Sequence, residues 1–120
     1  TFHVSRFTFH VSRFTFHASR SLTHHSSFPM SPSSRLRHSP NATFQVIADE
    51  AILIHLRTGV YYSLNEVGTV LWNLLDGSRT LAECAATIAA EYAAPPDVIE
   101  RDVLDLAADL VAEGLAERIG

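Results

Sequence analysis

Three groups of side chains in this sequence could do chemistry. Six histidines, His3, His10, His17, His24, His25 and His38, lie in an N-terminal stretch that holds no acid. One cysteine, Cys84, and a seventh histidine, His55, follow. Asp102, Asp105, Asp109 and Glu113 then recur at three- and four-residue spacing. Such groups offer metal ligation, a thiolate nucleophile and general acid–base catalysis respectively. Each reading meets an obstacle. Histidines seven residues apart have no ligand geometry. Cys84 lies in ECAATIAAEY at helical spacing with Leu81 and Ile88, which buries it, and no activating partner adjoins it. His55 stands among apolar strand residues, where a strand-surface imidazole is the plainer reading. The four carboxylates share a narrow helix sector. A solvated face is the commoner use of such a run, and the functional alternative is the acidic lip of a groove. No Ser/His/Asp set, GxGxxG or P-loop is present. The expectation is a non-enzyme with no catalytic residue, no metal site and no cofactor.

Charge divides the chain in two. Residues 1–41 carry five Arg and no acid, whereas residues 42–120 carry four Arg, no Lys and all thirteen carboxylates, a net charge of −9. An acidic domain repels phosphate backbones, so no nucleic-acid partner is expected. No apolar run is long enough to span a bilayer, which argues against a membrane partner. A single cysteine cannot form an intrachain disulfide and fits a reducing, cytoplasmic setting. Residues 1–21 are three seven-residue units, TFHVSRF, TFHVSRF and TFHASRS. They lack the two leucine-type positions of a coiled coil and are too few for a solenoid. Residues 1–41 therefore read as a disordered basic tail. A transit peptide, a metal-binding tract and an arm for an acidic partner are the competing readings. Met30 is the only methionine, so the segment before it, 1–29, is expected to be an upstream or dispensable extension.

Residues 42–120 contain the elements that must position any site. Thr43–Ile47 alternates as a strand, and Ala48-Asp49-Glu50 turns the chain. Residues 51–57, apolar on both faces, predict a central second strand. Arg57-Thr58-Gly59 turns into a third strand, residues 60–64, with one edge unpaired. The spacing of Val67, Val70, Leu71, Leu74 and Leu75 predicts a first helix over 65–76, capped by Asn65 and ended by Gly77, with Trp72 at the stripe's border. Thr80 and Glu83 form a capping box for a second helix, whose inner face is Leu81, Cys84, Ala85, Ile88 and Tyr92. Pro95-Pro96 opens a third, capped through Asp97 and Glu100, with Ile99, Val103, Leu106 and Leu110 as its core stripe. Gly114 ends it, and Leu115–Ile119 adds a short strand. The fold class is α+β and winged-helix-like, a three-stranded antiparallel sheet followed by three helices. That arrangement raises a DNA-binding regulator as the alternative, against which the acids on the second and third helices weigh.

AILIHLRTGVYYSLNEVGTVLWNLLDGSRTLAE, with LVAEGL closing the third helix, resembles the PqqD-like family over about residues 43–117. These are precursor-peptide recognition domains from pathways that modify ribosomally made peptides, among them coenzyme PQQ and lasso peptides. The resemblance implies that a leader peptide adds as a strand to the third strand and sends side chains into the cleft beside the third helix. Carried onto this chain, the peptide-binding strand is Val60, Tyr61, Tyr62, Ser63 and Leu64. The helix lining is drawn from Val98, Asp102, Asp105, Leu106 and Asp109. Alternation leaves open whether Tyr62 and Leu64 face the cleft or the core. The implied partners are the leader and a modifying enzyme: a radical enzyme, a cyclase or a leader protease. The RTG turn and YYSLN strand match the broad group, so no pathway is assigned.

Overall fold

The computed structural model describes residues 11–14 and 30–119, the first four through their backbone. In chain order the elements are β1 (Val11–Phe14), β2 (Arg35–His38), β3 (Ala42–Ile47), β4 (Glu50–His55) and β5 (Tyr61–Leu64). They continue as α1 (Glu66–Leu74), β6 (Asp76–Thr80), α2 (Leu81–Tyr92), α3 (Pro96–Ala112) and β7 (Ala116–Ile119). Two antiparallel sheets result, one ordered β1-β5-β4-β3 and one ordered β6-β2-β7. The expected α+β architecture stands, with β3, β4 and β5 as its meander and β4 central. β1, β2 and β6 are additions, and the expected short terminal strand, β7, pairs with β2 in the second sheet.

Local chemistry explains the meander. Ile47 pairs with Glu50, so Ala48 and Asp49 form a two-residue loop, and both have positive φ, 52° and 69°. Such primed turns match the twist of the strands they join. At the other end Gly59 takes φ +76° and its N–H donates to the His55 carbonyl at 2.7 Å. The helices bury the stripes their periodicity marked. Ile99, Val103, Leu106 and Leu110 of α3 are buried, as are Leu81, Cys84, Ala85 and Ile88 of α2. Asn65 accepts from Gly68 N–H at 2.8 Å, and Thr80 and Glu83 complete their capping box. Gly114 turns the chain after α3 at φ +77°. Each fully buried large aliphatic side chain contributes about 1.5–3 kcal/mol relative to exposure.

Several expectations are corrected. The boundary at residue 42 moves back, because Met30 and Leu36 are buried and β2 is the centre of the second sheet. RLRH has one apolar residue, too little for a periodicity signal, yet Leu36 is wholly enclosed. The expected disorder of residues 1–41 is replaced by order at 11–14 and 30–41, while 1–10 and 15–29 lie outside the described residues. Trp72 is fully buried rather than peripheral. His38 stacks on it at 3.7 Å between ring centroids, and Phe44 meets it edge-on at 5.5 Å. His38 Nε2 lies 2.8 Å from the Trp72 carbonyl. A carbonyl only accepts, so Nε2 carries the proton. Gly77 does not end α1. The helix stops at Leu74, and Gly77 sits in β6 at φ +90° because the chain re-enters a sheet there. Pro95, not Asp97, occupies the α3 N-cap, with no side-chain hydrogen bond. His55 is buried rather than on the strand surface: a Cβ at Gly114 would stand 2.9 Å from its Nε2.

Candidate functional site

The direction of each backbone donor on β5 follows from three bonds on β4. His55 N–H donates to the Val60 carbonyl at 3.0 Å. Leu56 N–H donates the other way, to Asn41 at 2.7 Å. Ala51 N–H points toward Leu64 but meets the Thr69 hydroxyl at 2.9 Å, which in turn donates to the Leu64 carbonyl at 3.4 Å. Odd-numbered β4 residues thus face β5. Since Leu53 pairs with Tyr62 and Ala51 with Leu64, the polar backbone groups of Tyr62 and Leu64 point into the sheet. Those of Tyr61 and Ser63 point outward. Hydrogen bonding in β5 alternates, and the outward pair are the groups an added strand would engage.

That outer edge, expected to be free, carries β1. Val11, Ser12, Arg13 and Phe14 pair antiparallel with Leu64, Ser63, Tyr62 and Tyr61. β1 also runs within 8 Å of α3, Cα to Cα, so it lies along the cleft between β5 and that helix.

The side chains of β5 obey the opposite division. Tyr62 and Leu64 are buried, Ser63 and the preceding Val60 are half-buried, and Tyr61 is 46% exposed. Tyr62 and Leu64 therefore belong to the core face, the alternative that alternation left open. Leu64 meets Leu106 across Gly68, where a Cβ would stand 3.4 Å from the first and 3.6 Å from the second. Both are ordinary contacts; the crowding a side chain at Gly68 would cause is against the Asn65 cap, whose Oδ1 would lie 3.1 Å away. Tyr62 Oη donates to Glu113 Oε1 at 2.9 Å, tying the strand to the end of α3. Leu64 opposite Leu106 and Tyr62 opposite Glu113 set α3 antiparallel to β5.

Of the α3 candidates, Leu106 is core, Asp102 is half-buried, and Asp105, Asp109 and Val98 are exposed. At 1.5 Å per residue, Val98 lies about 12 Å beyond Leu106, past the end of the short strand. Asp102, Asp109 and Glu113 flank Leu106 on the turns facing β5. Partial burial, and then the neighbouring Asp105 charge, raise the Asp102 carboxyl above its ordinary range. A cation brought to this face would relieve both. Glu113, Gly68 and Thr69 were not among the expected site residues. A Thr inside an apolar helix stripe was the available signal for Thr69. The others needed the packing.

Nothing elsewhere resembles a reaction centre among the described residues. Burial pushes the Cys84 thiol up to about 11, so thiolate is scarce at neutral pH. No group of three or more His, Cys, Asp or Glu could hold a metal ion among the described residues. No helix there is long and apolar enough to cross a membrane.

Comparison with known proteins bears on this geometry. The family described as coenzyme PQQ synthesis protein D (PqqD) matches residues 50–116. TbiB1, solved in complex with the TbiA(beta) leader peptide, is 34% identical with a TM-score of 0.63, covering 68% of this chain and 94% of that one. Lasso peptide synthetase B1, also solved with a leader peptide, is 24% identical with a TM-score of 0.63, over 69% of this chain and 98% of that one. The PqqD truncation of Methylobacterium extorquens PqqCD, described as a stand-alone RiPP recognition element, is 23% identical with a TM-score of 0.64, over 74% and 95%. The last two likenesses carry the fold alone. No curated protein sequence matches the chain significantly.

Proposed function

This chain belongs to the coenzyme PQQ synthesis protein D family, and we propose on that premise that it binds the leader of a ribosomally made precursor peptide. It presents that precursor to a separate modifying enzyme and catalyses nothing itself. The observation that carries the reading is the β5 edge: outward groups at Tyr61 and Ser63, bordered by the acidic face of α3. An extended peptide satisfies those groups as an added strand, so main-chain bonds supply affinity. Tyr61 and Ser63 offer backbone groups and partly open side chains, and Val60 offers a half-buried side chain, its carbonyl being held by His55 N–H. Asp102, Asp105 and Asp109 offer charge, while Tyr62, Leu64 and Leu106 hold the cleft's floor. Val98 joins only if the peptide extends past the strand. The partner enzyme is a radical enzyme, a cyclase or a leader protease, and the setting is cytoplasmic.

The DNA-binding alternative finds no support. The solved relatives are leader complexes and a recognition element, and α3 offers carboxylates where phosphates need cations.

Proline substitution tests the reading, because it deletes a donor and is tolerated where that donor faces away from the β3–β4–β5 meander, toward β1. Tyr61→Pro should keep the circular dichroism of the parent and lose binding, by calorimetry, to a leader peptide that the parent binds. Tyr62→Pro should damage the fold by breaking the β4–β5 ladder. Phenylalanine at each position controls for the side chain. A folded Tyr61→Pro variant with parental leader affinity would remove β5 from the function.

A further inference from the structure

We propose that the chain's own N-terminal repeat is an intrachain ligand of the β5 edge, a self-competitor that an incoming peptide must displace. The inference rests on the reading that leaders use this edge, and goes beyond it by naming what else fills it. β1 is not an extension of the meander: it precedes β2, β3 and β4 in the chain, yet takes the one β5 side that β4 leaves open. Its register puts Ser12 opposite Ser63 and Phe14 opposite Tyr61. Those are the two β5 residues whose backbone groups point outward, so both pairs are hydrogen-bonded pairs. β1 thus makes the main-chain bonds assigned above to a leader.

The sequence supports a ligand rather than a simple edge cover. The seated segment VSRF occurs again, identically, at residues 4–7, and as ASRS at 18–21. Two identical copies and one variant copy of the unit in the sequence offer the same edge alternative occupants. Each copy carries one Arg and no acid, and the segment lies within 8 Å of α3, Cα to Cα, the helix that carries Asp102, Asp105 and Asp109. Charge and main-chain pattern therefore both match the site. A leader that displaces it would share that chemistry: an extended segment with hydroxyl and aromatic residues, a cation and no acid. A ligand tethered to its own site acts at an effective concentration of order millimolar. The edge therefore stays filled if the free segment binds at about a millimolar or tighter.

Hydrogen exchange of the full chain tests this without knowledge of the natural leader. Tyr61 and Ser63 amides should be protected in the parent. In the triple variant Ser5→Pro/Ser12→Pro/Ser19→Pro, which removes one of the two edge-facing donors of every copy, their protection should fall at least tenfold. Tyr62 and Leu64, bonded into the sheet, should keep theirs, which verifies the fold in the same spectrum. The control Val4→Pro/Val11→Pro/Ala18→Pro removes donors that face away from β5, keeps every Arg, and should retain protection. Synthetic TFHVSRF added to the serine-to-proline variant should restore protection at Tyr61 and Ser63, with half-saturation at about a millimolar or lower. Equal exchange of these two amides in parent and variant, or no rescue by the peptide, overturns the proposal. Calorimetry of leader peptides against the same variant separates the two readings: absence of binding would refute leader recognition and leave the exchange pattern as it is.

Discussion

Tyr62 joins the strand to the helix that faces it. Its ring is buried and its hydroxyl donates to Glu113, the C-cap of α3, at 2.9 Å. A hydrogen bond to a charged acceptor is worth about 1.5–3 kcal/mol, and partial exposure puts this one near the lower end. Tyr62→Phe should therefore lower stability by about 1.5 kcal/mol in urea melts, with an unchanged m-value. Asp102 makes an opposite prediction. Its carboxyl is raised by burial first and by Asp105 second, so the folded state holds its proton to higher pH than the unfolded chain does. The sign follows: stability from this group is present at low pH and is lost as pH rises from the ordinary carboxylate range through the raised value. Asp102→Asn should melt higher than the parent at pH 7, and the difference should close on acidification. An Asn variant that melts lower at pH 7 would show the carboxylate to be favourably placed.

At the scale of elements, the β3–β4 hairpin is held by an unfavourable turn. Ala48 and Asp49 both adopt positive φ, a conformation that costs a residue with a Cβ roughly 1–2 kcal/mol. Asn tolerates it and Gly adopts it freely, which is why Asn-Gly dominates such turns. The double change Ala48→Asn/Asp49→Gly should raise stability by about 1 kcal/mol in thermal or denaturant unfolding. It lies on β4's far side from β5, so leader affinity should not move. Loss of stability would mean that the Ala48 and Asp49 side chains contribute more than their backbone strain costs.

Over the whole molecule the governing feature is charge. Residues 42–120 carry a net −9, and the α3 face beside β5 concentrates part of it. Exposed ion pairs are worth about 0.2–1 kcal/mol each, so three together shift affinity about tenfold. Converting Asp102, Asp105 and Asp109 together to Asn should weaken binding of a basic leader by about that factor and flatten its dependence on salt. Calorimetry at two ionic strengths reads both effects. Unchanged affinity and slope would leave the stripe as a solvated surface.

What the sequence by itself determined was local. Alternation in β4 and β5, helical stripes, the Asn65 cap, the Thr80–Glu83 box and the Gly59 and Gly114 turns each depend on residues a few positions apart, and each stands in the structure, whereas β3, read as alternating, is exposed on both faces. The resemblance in YYSLNEVGTVLWNLLDG was likewise carried by contiguous residues. Tertiary structure decided everything that depends on a distant partner. RLRH holds one apolar residue, so nothing in it announced a strand. β2 exists because Leu36 closes the core between β6 and β7. Trp72 lies off its helix's apolar centre and is covered by residues far earlier in the chain, His38 stacking on it and Phe44 meeting it edge-on. Period-two alternation marked Tyr61 and Tyr62 as opposite but could not say which faced the core or which amide faced outward. Both depend on which neighbour β5 has on each side: β4 through His55 and Val60, and β1 from beyond three intervening strands. A hydrogen-bonding direction along a strand is a property of the pair, and the pair forms only when the chain folds.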